Sequence, residues 1–446
     1  MTGTAVSHWF NRGVPLLKDI RTARKLARNL LASRSTRKEL ARLLPSIPQP
    51  APASIEIVVY FADTRVNLYQ IRQWYAPLAE LAKTHPVAII ARAPGTALTL
   101  LEESPVTTVY KRTVVDLENF IHEQNPKIVF YVNQNAKNFQ MFRYGRMWHV
   151  FINHGESDKM YMTTNQFKAY DYSLIAGPAA HERLKRKLWA FDLGKKTIQI
   201  GRPQADHFAG ELPYVPDERT VVLYSPTWEG DREAAAYGSI ASHGVRLVTA
   251  LLASDKHRVI YRPHPRSGVT DREYREANQK IIAAIAAANA ADPTAQHVFD
   301  DGPTMGWQLA AADVAISDIS AMIYDRLAVG KPLLVTRPAN PRAEVDEFGY
   351  LGAAEWLTAS DSENIIAVVD RVQHSEEAQK NLDFWVTRHF GDTRQGEATK
   401  RFHSAVEKML ADWHKHAAIH EGDALSLESD PFEDDDDEDA TPIGND

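Results

Sequence analysis

The chain has 446 residues, 44% of them hydrophobic, with no cysteine and a formal charge of −7. That length suggests two domains of roughly 150 to 200 residues each, and the lack of cysteine excludes disulfides, thiolate metal ligands and a cysteine nucleophile, in keeping with a reducing cytoplasm. No apolar run reaches the ~20 residues of a spanning helix and no secretory leader is visible, so a protein not integral to a membrane is expected.

In chain order, residues 1–50 come first, with ten Lys or Arg against two acids. Leu16, Leu17, Ile20, Ala23, Leu26, Leu30 and Leu31 recur there at helical spacing among Lys18, Arg21, Arg24, Lys25 and Arg28. The pattern predicts a basic amphipathic helix able to lie on an anionic membrane, with Trp9 and Phe10 near its start, or else a helix packed on the body with a solvated basic face. Short apolar runs alternating with helical patterns follow, the signature of parallel sheets with crossover helices. A first set of strands is expected at 55–61, 87–91, 106–110, 127–132, 149–152, 173–176 and 197–200, and a second at 221–225, 258–261, 297–299, 314–317 and 333–335. The Pro- and Gly-rich stretch GRPQADHFAGELPYVPDER between them is the candidate hinge. The predicted organisation is a basic segment over 1–50, one doubly wound domain over 51–205, a second over 206–418 and a tail over 419–446. Residues 421–446 hold twelve acids and no base, too much like charge to fold, so a disordered solvating tail is expected rather than a metal cluster.

In doubly wound sheets, ligands sit beyond the carboxyl ends of the strands, and polar groups gather there in this sequence. The second set offers Thr227 and Trp228 after 221–225, and Arg262, His264 and Arg266 on alternate positions in RPHPR, where Pro263 and Pro265 fix an extended backbone suited to an anion. Ser317, Asp318 and Ser320 precede a short helix that ends near Gly330 and Pro332; Ser320 suits an N-cap, and the first-turn amides suit a phosphate. Structural capping alone also accounts for Asp318 and Ser320. In the first set, the strand at 149–152 runs into NHGESDK, where Gly155 is expected to permit a turn exposing His154 beside Glu156, Asp158 and Lys159. A neutral imidazole there could take a proton from an attacking hydroxyl; a structural hydrogen-bonding histidine is the plainer alternative.

Taken in order, the HG-x-x-x-K of His154, Gly155 and Lys159, YSPTW (224–228), RPHP (262–265) and ADVAISDISAMIYDRLAVGKPLL (312–334) resemble the CDP-glycerol glycerophosphotransferase family over roughly residues 140–340. The resemblance implies an α/β, GT-B-like fold of two doubly wound, Rossmann-like domains facing across a cleft, the first serving the acceptor and the second the donor. It also implies transfer of a polyol phosphate from CDP-glycerol or another CDP-polyol to a hydroxyl of a lipid-linked or polymer acceptor, in the teichoic-acid manner, with release of CMP. On this reading His154 is the general base, oriented by Glu156 or Asp158, and His264, Arg262 and Arg266 stabilise the diphosphate. Ser317, Asp318 and Ser320 hold the diphosphate or nucleotide, and Thr227 lines the donor side. No cofactor and no nucleic-acid partner are implied, although Asp300 and Asp301 leave room for a divalent ion. The location implied is the cytoplasmic face of the membrane. Two rivals stay open from sequence: a GT-B glycosyltransferase using a nucleotide-sugar, and a non-catalytic envelope-assembly protein of the same fold.

Overall fold

The computed structural model describes residues 34–155, 164–302, 305–347 and 349–420. Within them the chain forms two all-parallel sheets. The first joins β1 (Ile57–Phe61), β2 (Val87–Ala91), β3 (Thr107–Tyr110), β4 (Ile128–Tyr131), β5 (Trp148–Phe151), β6 (Tyr172–Ile175) and β7 (Thr197–Gln199) in the order β3-β2-β1-β4-β5-β6-β7. The second joins β8 (Thr220–Ser225), β9 (His257–Tyr261), β10 (Val298–Phe299), β11 (Val314–Ser317), β12 (Leu333–Thr336) and β13 (Glu355–Leu357) in the order β10-β9-β8-β11-β12-β13. In both, the strand order reverses direction partway, as doubly wound sheets do. The short edge strand β13 was not foreseen.

Continuous apolar runs become strands here because both faces of each sheet are covered. Alternate residues of the second sheet serve opposite cores, as the period of two requires. Leu223, Ile260, Ala315 and Val335 pack with Ile323 and Leu327 of one helix (α1, Ala321–Val329) and Leu382 and Val386 of another (α2, Glu376–Phe390). Tyr224, Tyr261, Ile316 and Leu334 join the opposite core with Leu247, Ile281 and Val369.

Among the described residues two compact units emerge: one runs from 34 to Phe130 and adds Gln134–Met147 and residues 416–420; the other is Tyr131–Asn133 with the described residues from Trp148 to Lys415. The sheets thus change between Gln199 and Thr220, whereas the compact units change at Trp148. The C-terminal helix (α3, Glu397–Ile419) explains the difference inside the second unit. Trp148 Nε1 donates to Met409 O at 3.0 Å and the Tyr172 hydroxyl donates to Asp412 at 2.8 Å, so β5 and β6 are bonded to the helix that closes that unit. The stretch expected as a hinge is also pinned: Arg202, Pro203, Gln204 and Tyr214 are buried, and Asp206 accepts from Thr399 N at 2.7 Å.

Residues 34–43 are helical, with Leu40 buried. The remainder of the expected basic helix and the acidic tail lie outside the described residues. No helix among the described residues is long and apolar enough to cross a membrane.

Candidate active site

The carboxyl ends of β9, β8 and β11 lie side by side because those strands are hydrogen-bonded neighbours. The segments leaving them, 262–268, 226–229 and 318–320, therefore share one edge of the second sheet, where a ligand is expected.

Two of the residues assigned to ligand binding from sequence are instead the frame of that edge. Ser317 is fully buried, its hydroxyl 2.8 Å from that of Ser225 across the β8–β11 pair. Asp318 is fully buried as well, and its carboxylate accepts from Thr227 N (2.7 Å), Ser239 N (3.0 Å) and Thr336 Oγ1 (2.5 Å). Burial raises its carboxyl to about 6 against the pull of those bonds. Both side chains are buried and engaged within the frame, and the Asp318 carboxylate would repel a phosphate, so both assignments are corrected to structural roles. Ser320 is the N-cap of α1, its hydroxyl accepting from Met322 N at 3.3 Å, and Gly330 closes the helix at φ 71°, as read from sequence. Thr227 is half-buried, with its amide given to Asp318.

The RPHPR fork also divides differently from expectation. Arg262 is not free: its Nη1 pairs with Asp300 and its Nη2 donates to Gly302 O at 3.0 Å. Asp300 is further bound by Gln308 Nε2. Arg262 is thus a structural cation, and Asp300, which also accepts from Gly302 N at 3.1 Å, is engaged by three donors. Among the described residues no cluster of three or more His, Asp or Glu forms a metal site. Arg266, four positions on, lies with its guanidinium carbon 3.8 Å from the Trp228 ring centroid and has no carboxylate partner among the described residues. The exposed Arg266 is the cation that the fork presents.

The backbone around it is held by Glu229, a residue sequence reasoning passed over. Its carboxylate accepts from Gly268 N (2.9 Å), Thr270 N (3.1 Å), Thr270 Oγ1 (2.8 Å) and Asp271 N (3.0 Å). Burial opposes ionisation, yet these donors pull the carboxyl down to about 2. Gly268 completes the turn at φ 73°, where a Cβ would stand 2.6 Å from Arg275 Cα.

The two histidines are wired in opposite senses. At His264, Nδ1 accepts from the Arg266 amide at 3.1 Å; an amide can only donate, so the proton of the neutral ring is on Nε2. At His154, Nδ1 is 2.9 Å from the Val132 carbonyl; a carbonyl can only accept, so the proton is on Nδ1 and the lone pair on Nε2. Burial pushes both imidazoles below the ordinary value of 6.5, helped by Arg266 at His264 and by Arg202 at His154. Both rings are therefore neutral near pH 7.

The His154 turn differs in detail from expectation. The left-handed residue is Asn153, at φ 57°, whose side chain accepts from His154 N at 2.9 Å; Gly155 is not the left-handed position, and a Cβ there would lie at ordinary contact distance, 3.8 Å from Arg202 Nη1. Arg202 is buried and ion-paired with Asp325 of α1. Nothing in the spacing of the sequence pairs these two, because 123 positions separate 202 from 325. Glu156, Asp158 and Lys159 lie outside the described residues.

Two doubly wound parallel sheets with a polar strand-end edge define a GT-B-like protein. The fold is similar to a putative UDP-N-acetylglucosamine 2-epimerase from Listeria monocytogenes (13% identity, TM-score 0.53, covering 81% of this chain and 98% of that one). It is likewise similar to the wall teichoic acid polymerase TagF (13%, 0.50, 89% and 98%) and to a UDP-GlcNAc 2-epimerase from Neisseria meningitidis bound to UDP-GlcNAc (14%, 0.52, 80% and 100%). No curated protein matches the chain in sequence. Residues 148–408 match the model of the CDP-glycerol:poly(glycerophosphate) glycerophosphotransferase family, and the chain belongs to that family. It is a transferase with CDP-glycerol as donor and a polymer as acceptor.

Proposed function

We propose that His154 and His264 divide one phosphoryl transfer between them. An acceptor hydroxyl attacks the β-phosphorus of CDP-glycerol; its oxygen forms the new P–O bond, its proton passes to His154 Nε2, and CMP leaves with the electron pair of the broken bond. His264 Nε2–H and the Arg266 guanidinium donate to the diphosphate oxygens, where charge develops as CMP departs. Ser320 with the first turn of α1, and Thr227, line the donor side. The single observation that carries this reading is the opposite hydrogen bonding of the two imidazoles, which leaves one as a proton acceptor and the other as a proton donor.

The product is taken to be a teichoic-acid-like envelope polymer, made at the cytoplasmic face of the membrane with the basic head on anionic lipid. The division of labour is acceptor over 51–205 and donor over 206–418, with Glu156 or Asp158 orienting His154. The donor assignment is tested by incubating the purified protein with a poly(glycerophosphate) acceptor and CDP-glycerol, CDP-ribitol, UDP-N-acetylglucosamine or UDP-glucose in turn. CMP release with CDP-glycerol and no UMP or UDP from the sugars is expected; release from a UDP-sugar alone would point to a glycosyltransferase.

A further inference from the structure

The segment from 178 to 196 plays no part in the chemistry above, yet it carries a surface of distinct composition. Helix α4 (Pro178–Lys187) ends in Lys185, Arg186 and Lys187, all exposed and none paired with a carboxylate among the described residues. The helix stops because Leu188 turns inward to a buried position, its amide closing on Leu184 O. Trp189 is then thrown outward to 83% exposure, with no ring contact and no side-chain hydrogen bond among the described residues, and Ala190 returns the chain at φ 49°, a conformation that a residue with a Cβ adopts only under constraint. The nearby acids do little to neutralise the patch. Glu182 is paired with Arg388 at 2.5 Å, and Asp192 caps the next turn through Lys195 N at 3.2 Å.

We propose that this tip, Trp189 just beyond the exposed Lys185, Arg186 and Lys187, is a docking surface for an anionic lipid bilayer, separate from the basic head. Charge complementarity selects the partner's sign, and the indole selects a bilayer over a dissolved polyanion. Three unpaired cations would suffice for a polymer, whereas an isolated, fully presented Trp finds its most favourable setting at the headgroup level of a membrane. The contact holds the transferase beside membrane-linked acceptors without touching its reacting groups.

The test is co-sedimentation of the full chain with vesicles of phosphatidylglycerol and phosphatidylcholine, against phosphatidylcholine alone and against soluble poly(glycerol phosphate). W189A should weaken binding to the anionic vesicles about tenfold, as expected for loss of a buried aromatic face. The triple variant K185E, R186E, K187E should weaken it by ~10² or more, because each cation contributes about a factor of five near an anionic surface. Neither should alter CMP release with a soluble acceptor or the far-ultraviolet circular dichroism. Unchanged vesicle binding in both variants overturns the proposal. So does a triple variant that loses soluble polymer and vesicles equally while W189A loses neither, since that pattern belongs to a polymer groove.

Discussion

At the scale of single residues, the motif RPHPR could be seen in the sequence but the duties of its members could not. Spacing showed three ionisable groups at a strand end; it could not show that Asp300, 38 positions later, takes Arg262. The same limit applies to Asp318, legible as a polar group beyond a strand and revealed by its three donors as the post that holds the edge together. The two arginines of the fork should therefore respond to mutation in opposite ways. Arg266→Ala should weaken CDP-glycerol binding by at least ~10-fold, the loss of one charge-assisted contact, with little change in stability. Arg262→Met leaves Asp300 without its countercharge and should cost about 3 kcal/mol of stability while donor affinity stays within a few-fold. Calorimetric donor titration and urea denaturation of both variants check this; a donor defect confined to the Arg262 variant would restore the free-fork reading.

At the scale of elements, the strands were the most legible feature, since a parallel sheet covered on both faces writes itself as β-branched runs. The exception, β13, is three residues of mixed polarity at a sheet edge, too short to leave a period. The helix after β11 was readable at both ends, because its N-cap serine and C-terminal glycine each have one local physical cause. Loops that are tied across the fold left no such mark. Glu229 holds the 268–271 backbone from the neighbouring strand end, so its effect on Arg266 is at a distance. Glu229→Gln keeps one acceptor oxygen for four donors and should cost about 1–2 kcal/mol of stability. It should also raise the KM for CDP-glycerol more than it lowers kcat, because the turn carrying Arg266 loosens while His154 is untouched. Equal falls in kcat and kcat/KM with unchanged KM would place Glu229 in the chemistry instead.

At the scale of the whole molecule, the charge asymmetry of the sequence sets a basic head and an acidic tail apart from the middle, which carries the candidate site. Leu40 is buried, so a truncation that tests the basic head removes residues 1–33 and keeps the helix over 34–43. That truncation should reduce sedimentation with anionic vesicles and leave turnover on a soluble acceptor within a few-fold; loss of turnover would mean that the head contributes to the site. Sequence alone fixed neither the compact units nor the opposite wiring of the histidines, because both depend on bonds between positions far apart, such as Trp148 with Met409 and His154 with Val132. The most direct measurement is CMP release and donor affinity for His154→Ala and His264→Ala, with the wild-type rate followed against pH. Both imidazoles titrate below 6.5, so the wild-type rate should be level through neutrality and fall only as pH drops below that value and His154 Nε2 takes up a proton. His154→Ala should lose at least ~10² in turnover with donor affinity kept, and His264→Ala should lose both. A His154→Ala protein that turns over within a few-fold of wild type, or that loses donor binding in step with activity, would contradict the account.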